Sequence, residues 1–98
     1  MQFLIIARDG TDADAPARRQ AARPDHLKVA SAMAEEGTLK TGGAILDDDG
    51  AMVGSAAVME FPDRAALDDW LARDPYVTGG VWQKIEVYPF RVAVSSAS

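Results

Sequence analysis

Apolar residues along the chain gather in short groups separated by turn-forming residues. Phe3-Leu4-Ile5-Ile6-Ala7 is continuous and rich in branched side chains, and Arg8-Asp9-Gly10 closes it. Such a run predicts a strand buried on both faces. Thr11 to Pro16 is small and acidic and reads as a loop; Ala17 to Ala22 suits one or two helical turns. Pro24 fits the first turn of a longer helix, where its missing N–H is no loss, and Asp25 complements the positive end of that helix. Leu27, Ala30, Met33 and Ala34 recur at helical spacing as its expected buried stripe. Gly37 is its C-cap.

Leu39 to Leu46 reads as a second strand, interrupted by Gly42 and Gly43, which mark a bulge or a close approach. Asp47-Asp48-Asp49-Gly50 is a hairpin tip. Its acids are adjacent rather than alternating, so it reads as a solvated turn and not as a calcium loop. Ser55 to Phe61 is a third strand. Pro62-Asp63 opens a second helix with Asp63 as N-cap, and Ala66, Leu67, Trp70 and Leu71 form its apolar stripe. Asp74-Pro75 ends that helix, because a residue before proline avoids helical geometry. Tyr76 to Val81 is a connector. Trp82 to Val92 is the last strand, with Pro89 marking an edge or a bulge.

The order β-α-β-β-α-β predicts an α+β fold: a ferredoxin-like sandwich with a four-stranded antiparallel sheet and both helices on one face. The other face should then be polar, with strands that alternate. They do not alternate. Leu4 and Ile6 oppose Phe3 and Ile5, and Ala56 and Val58 oppose Ala57 and Met59. A wet face of such residues would be a large apolar patch, which monomers rarely tolerate. A second copy of the same sheet, related by a two-fold, is the simplest cover. A homodimer through sheet faces, a dimeric α+β barrel, is therefore expected.

Composition narrows the chemistry. The 98 residues make one domain, drawn at 1–94 with a short tail at 95–98. With no cysteine and one histidine, neither a disulfide, a thiolate metal site nor a thiol nucleophile is available. The net charge of −5 opposes nucleic acid or an anionic membrane as a partner, since both call for clustered Lys and Arg. No run approaches the ~20 apolar residues of a membrane span, and no basic region precedes the first apolar run. A cytoplasmic protein is the expectation. No phosphate loop or dinucleotide fingerprint is present, so no cofactor is expected.

His26 is the only side chain whose unperturbed pKa lies near neutrality. It reads either as a surface residue in the first turn of the long helix or as a proton-transfer group. Asp74 is either a helix terminator or its partner. Arg23 can anchor an anionic ligand or bridge to Asp12 or Asp14. Tyr76 and Trp82 can line a pocket with Gly42 and Gly43, or be plain core. Trp70 reads as core. Ser55 lacks a nucleophile-elbow context and receives no catalytic role.

Arg23-Pro24-Asp25-His26-Leu27 resembles the Arg-Pro-x-His-Leu signature of the YciI-like family. Asp74-Pro75-Tyr76 resembles that family's Asp-Pro-Tyr signature. Gly42-Gly43, Gly54-Ser55 and Val87-Tyr88-Pro89-Phe90 fit its strands, so the likeness runs over about residues 1 to 92. The resemblance implies a dimeric ferredoxin-like α+β-barrel protein whose proposed active-site pair falls on His26 and Asp74. It also implies likeness to small enzymes that isomerise lactones or remove chloride from hydroxylated aromatic rings. Ala44 stands where many relatives carry proline, which alters a pocket wall. The loop from Asp47 to Val53 is shorter than in many relatives, which alters a rim.

Three kinds of function follow. One is a cofactor-free isomerase or lyase, of dehalogenase type, acting on a small oxygenated aromatic or lactone substrate. Another is a binding or sensing module for such a small molecule, without turnover. The third is a subunit whose role is its dimer surface. A carboxylate that orients imidazole and stabilises imidazolium favours the first two.

Overall fold

Seven elements carry the chain in a computed structural model that describes residues 1–96: β1 (Gln2–Asp9), α1 (Ala15–Glu36), β2 (Leu39–Leu46), β3 (Met52–Glu60), α2 (Arg64–Leu71), α3 (Pro75–Thr78) and β4 (Trp82–Phe90). The strands form one antiparallel sheet in the order β2-β3-β1-β4. Phe3 and Ile5 of β1 are buried with Met59, Phe61 and Leu67, and Met33, Trp70 and Leu71 pack around them. Both long helices therefore lie on one face, and the fold is the ferredoxin-like α+β sandwich expected. Pro89 sits on β4, an edge strand, where a missing N–H is tolerated.

The first strand is not buried on both faces. Phe3, Ile5 and Ala7 are buried, whereas Leu4 and Ile6 are half-exposed. They share rows with Val58 and Ala56 on β3 and with Tyr88 and Glu86 on β4. Among the described residues no second layer covers that face. Of the tail expected at 95–98, residues 95 and 96 carry no regular structure, and 97 and 98 lie outside the described residues.

The largest departure is α1. It starts at Ala15, with Pro16 in its first turn, and Pro24 lies inside it. Proline there withholds an N–H from the carbonyl of Gln20, but both residues are exposed, so water can take that carbonyl. The inward stripe is not the one expected either. Ala15 and Arg19 are buried, and Ala22, Arg23, His26, Ala30 and Met33 continue the same face half-buried. Leu27 is 42% exposed and Ala34 is exposed. Three polar residues on the inner face disguise the apolar period. The helix ends as expected at Gly37, whose φ of 84° admits glycine, while Thr38 N–H bonds to the Met33 carbonyl.

The glycine pair of β2 does not make the bulge; the register shifts at Leu39–Thr41. The acidic hairpin tip is an Asx turn, with Asp47 Oδ1 accepting from Asp49 and Ala51 N–H at 2.9 Å each. Asp63 caps α2, accepting from Ala66 N–H at 2.9 Å. Asp74 does not terminate α2, whose C-cap is Ala72; it caps the short α3, which occupies part of the expected connector. There a carboxylate sits at a helix N-terminus, where it is favourable.

A second cluster joins Ala7, Tyr76, Val81 and Trp82. Burial pushes the Tyr76 phenol above its ordinary value. The exposed Tyr88 phenol is also raised, by its hydrogen bond to Glu86.

Trp70→Ala should remove about 3 kcal/mol, because the half-buried indole stacks near Phe61 at 5.9 Å. At roughly 4–8 °C per kcal/mol for a domain of this size, the melting point should fall by about 12–24 °C. A circular-dichroism melt within ~3 °C of the parent would show that α2 is not seated on this cluster. Both tyrosines should stay protonated past pH ~10 when folded and titrate near ~10 in denaturant, read as phenolate absorbance. Because the folded values lie above the unfolded ones, their stabilising contribution is intact below pH ~10 and is lost as pH rises through the folded values. Phenolate appearing at the same pH in both states would contradict this.

Candidate active site

Arg19, Arg23 and His26 stand at i, i+4 and i+7 on α1, so one helix face carries all three toward the sheet. They line a cavity of about 320 Å³ between α1 and the helix-covered side of the sheet. Gly42, Gly43 and Ser55 of β2 and β3 line it too, as do Asp74, Tyr76 and Trp82. The structure thus brings all seven residues marked in the sequence to one cavity. A volume of this size suits a single-ring molecule.

His26 is not in the first turn of its helix but near the middle, because α1 begins earlier than expected. Its Nδ1 lies 2.8 Å from Asp74 Oδ2. The contact arises because α3 packs on α1 and Asp74 is the residue that caps α3. The carboxylate of Asp74 is buried, with its side chain 2% exposed and that of His26 16% exposed. The same Oδ2 accepts from Tyr76 N–H at 2.9 Å. A carboxylate only accepts, so Nδ1 carries the shared proton, and in the neutral imidazole the lone pair is then on Nε2. Tyr76 stacks on the imidazole at 3.7 Å between centroids and 11° between planes, and Trp82 meets it edge-on at 5.7 Å. The ring is therefore fixed in plane and in tautomer.

Arg23 bridges to neither Asp12 nor Asp14. Arg18 takes Asp12 through two bonds of 2.7 Å and holds that carboxyl down at about 2, and Arg23 makes no ion pair among the described residues. Trp70 also lines the cavity, and its Nε1 is buried without a partner.

Sequence reasoning missed Arg19 and gave Ser55 no part. Arg19 Nη1 bonds to both Asp9 oxygens at 2.9 and 3.0 Å, with the two side chains 4% and 5% exposed. Its Nη2 donates to Ser55 Oγ at 3.1 Å, and its guanidinium lies 4.7 Å from the Tyr76 ring centre. Trp82 Nε1 donates to the same Oγ at 3.2 Å. The available signal was spacing: Arg19 falls on the face of Arg23 and His26 once the helix is begun at Ala15. Gly54 precedes Ser55 because a Cβ there would meet the Ala7 carbonyl at 2.5 Å.

Among the described residues no group of three or more His, Asp or Glu could hold a metal ion. No described helix is long and apolar enough to cross a membrane.

The model of the YCII-related domain matches residues 1–91. Protein YciI of Escherichia coli is 35% identical over 97 residues, which cover 93% of this chain and 97% of that protein. In structure, the chain is similar to 5-chloro-2-hydroxyhydroquinone dehydrochlorinase from Burkholderia phenoliruptrix, solved with 2,5-dihydroxybenzoquinone: TM-score 0.71, 24% identity, 93% and 94% of the two chains. It is also similar to a dimeric ferredoxin-like protein of Jannaschia, with TM-score 0.50, 15% identity, and 93% and 98% covered. At these identities the two structures speak for the ferredoxin-like fold. The family match runs from Met1 through all of β4, and the identity to YciI spans nearly the whole of both proteins, so the chain belongs to the YCII-related family.

Proposed function

We propose that the cavity binds a small oxygenated ring compound, aromatic or lactone, and that His26 and Asp74 move a proton in its isomerisation or elimination. The observation that carries the reading is the 2.8 Å contact between His26 Nδ1 and the buried Asp74 carboxylate. With Nδ1–H donated to Asp74, Nε2 accepts a proton from a ring hydroxyl or an acidic C–H. The electron pair of the broken bond moves into the ring as C=O or C=C. In elimination the imidazolium returns the proton to the chlorine-bearing ring carbon, and chloride then leaves that sp3 carbon with its bonding pair as a second hydroxyl gives its proton to Nε2 and becomes C=O; in isomerisation the imidazolium returns the proton to another carbon. Asp74 stabilises the imidazolium between these steps. Arg23, half-buried in the cavity wall, offsets negative charge on the substrate oxygens. Gly42 and Gly43 leave room for the ring, and Tyr76 and Trp82 hold the imidazole. These steps are proton transfers and need no cofactor. The dehydrochlorinase name of the Burkholderia neighbour supports this reaction class.

The active form in this reading is a homodimer joined through the open sheet faces. Leu4, Ile6, Ala56 and Val58 lie half-exposed there, and Tyr88 in the same row is 45% exposed. The dimeric state of the Jannaschia protein supports it.

Chloride release from 5-chloro-2-hydroxyhydroquinone, alongside exchange of ring protons for deuterium, tests the chemistry. His26→Ala should lower kcat/KM by about 10²–10⁴ and Asp74→Asn by about 10². A parent protein inactive in both assays, or variants as fast as the parent, would sink the proton-transfer reading. Light scattering at micromolar concentration should return twice the 10.5 kDa chain mass. A stable species of one chain mass would remove the sheet-face dimer.

A further inference from the structure

We infer that Ser55, held by Arg19 and Trp82, is the donor that fixes an acceptor oxygen of the ligand, a carbonyl, enolate or phenolate oxygen, in this cavity. The inference rests on the reading of the cavity above and names the group its ligand must present.

The argument is a count of protons. A serine hydroxyl has one O–H to give and two lone pairs to share. Ser55 Oγ is met by Arg19 Nη2 at 3.1 Å and by Trp82 Nε1 at 3.2 Å. Guanidinium and indole N–H groups can only donate. Both lone pairs are therefore taken, and the hydroxyl proton must turn elsewhere. No acceptor among the described residues receives it, although Ser55 is 9% exposed and lines the cavity. Arg19 Nε, buried and without a partner, lies along the guanidinium edge that also carries Nη2. The buried side-chain atoms found without a partner, Arg19 Nε and Trp70 Nε1, are both donors, and both residues line this cavity.

A cavity with spare donors calls for a ligand rich in acceptors, because an unmet buried donor is unfavourable. The positive charge of Arg19 is already matched by Asp9. The donor pair therefore selects an oxygen with lone pairs and partial negative charge, and does not require a full anion. The Ser55 donor is also rigid. Two hydrogen bonds fix Oγ, and Trp82 is itself packed against Tyr76 at 5.5 Å between centroids. His26 lines the same cavity, so a ligand oxygen fixed by Ser55 limits how the ring can lie beside the imidazole.

Titration calorimetry with 2,5-dihydroxybenzoquinone, whose oxygens are strong acceptors, tests the inference. Ser55→Ala should raise Kd about ten-fold, while Ser55→Thr, which keeps the hydroxyl, should stay within about three-fold. Binding of 1,4-hydroquinone, which lacks a carbonyl, should change less than about three-fold in Ser55→Ala. Equal losses for both probes would make Ser55 a support of the fold alone and overturn the inference, as would a parent protein that binds neither. A ligand-free crystal should show a water oxygen about 2.7–2.8 Å from Ser55 Oγ on the cavity side. A protein carbonyl in that place would also overturn it. If the probe binds as expected while His26→Ala leaves turnover unchanged, the proton-transfer reading fails and the Ser55 donor stands.

Discussion

The site hangs on one oxygen atom. Asp74 Oδ2 accepts the N–H of Tyr76, the second residue of α3, and it accepts Nδ1–H of His26, which belongs to α1. A carboxylate this deeply buried is tolerated only when its lone pairs are met. Each partner therefore needs the other two. Without the carboxylate, α3 loses its cap, Tyr76 loses the geometry that lays it on the imidazole, and the imidazole loses its tautomer. The proline at position 75 makes the cap economical, since the first helical residue has no N–H to satisfy.

A second charged core sits one helical turn and more toward the start of α1. Arg19 and Asp9 are buried together, and the guanidinium also touches Ser55 and the Tyr76 face. Burying such a pair gains little net stability against a well-packed apolar alternative, because desolvation offsets much of the attraction. What the pair supplies is position. It ties the end of β1 to α1 and, through Ser55, to β3 and Trp82. The elements that carry the cavity wall are thus fixed by directional bonds rather than by apolar contact alone.

The sheet and the two long helices were legible in the residues because local signals agree there: branched runs, Asp63 as a cap, Gly37 as a stop. The motif around His26 and the one around Asp74 were legible as well. Their meeting in space follows from the family resemblance alone, because apolar patterning starts α1 at Pro24 instead of Ala15 and leaves α3 as a connector. The late start of α1 has a physical origin. The inner face of α1 carries Arg19, Arg23 and His26, and apolar periodicity cannot find a stripe made of charged and titratable groups. Asp74 was similarly misread as an unfavourable end of one helix when it is the favourable beginning of the next. Ser55 lacks a nucleophile context in the sequence, and its place in the fold is that of a hydrogen-bond hub.

The same reasoning accounts for the shape of the cavity. Protein interiors are ordinarily filled to crystal-like density. Here the small residues Gly42, Gly43, Ala44, Ala56 and Ala57 line the sheet side of the cavity, and Ala30 lines it from α1. A Cβ on Gly43 would meet nothing within 4 Å, and one on Gly42 would meet only Leu39, Ala57 and the Ala56 carbonyl at ordinary or slightly tight distance. Gly43 shares a row with Ala56 and Ile6 and faces the open side of the sheet, whereas Gly42, in the row of Ala57 and Ile5, faces the cavity. A larger apolar side chain at Gly42 would reach into the cavity and bury more surface, which on stability alone is favourable. Small residues on the edge strand β2 and its neighbour β3, beside the inward-facing Phe3, Ile5 and Met59, leave volume that packing does not require. Ringed by spare donors and one oriented imidazole, that volume is best accounted for by the molecule it admits.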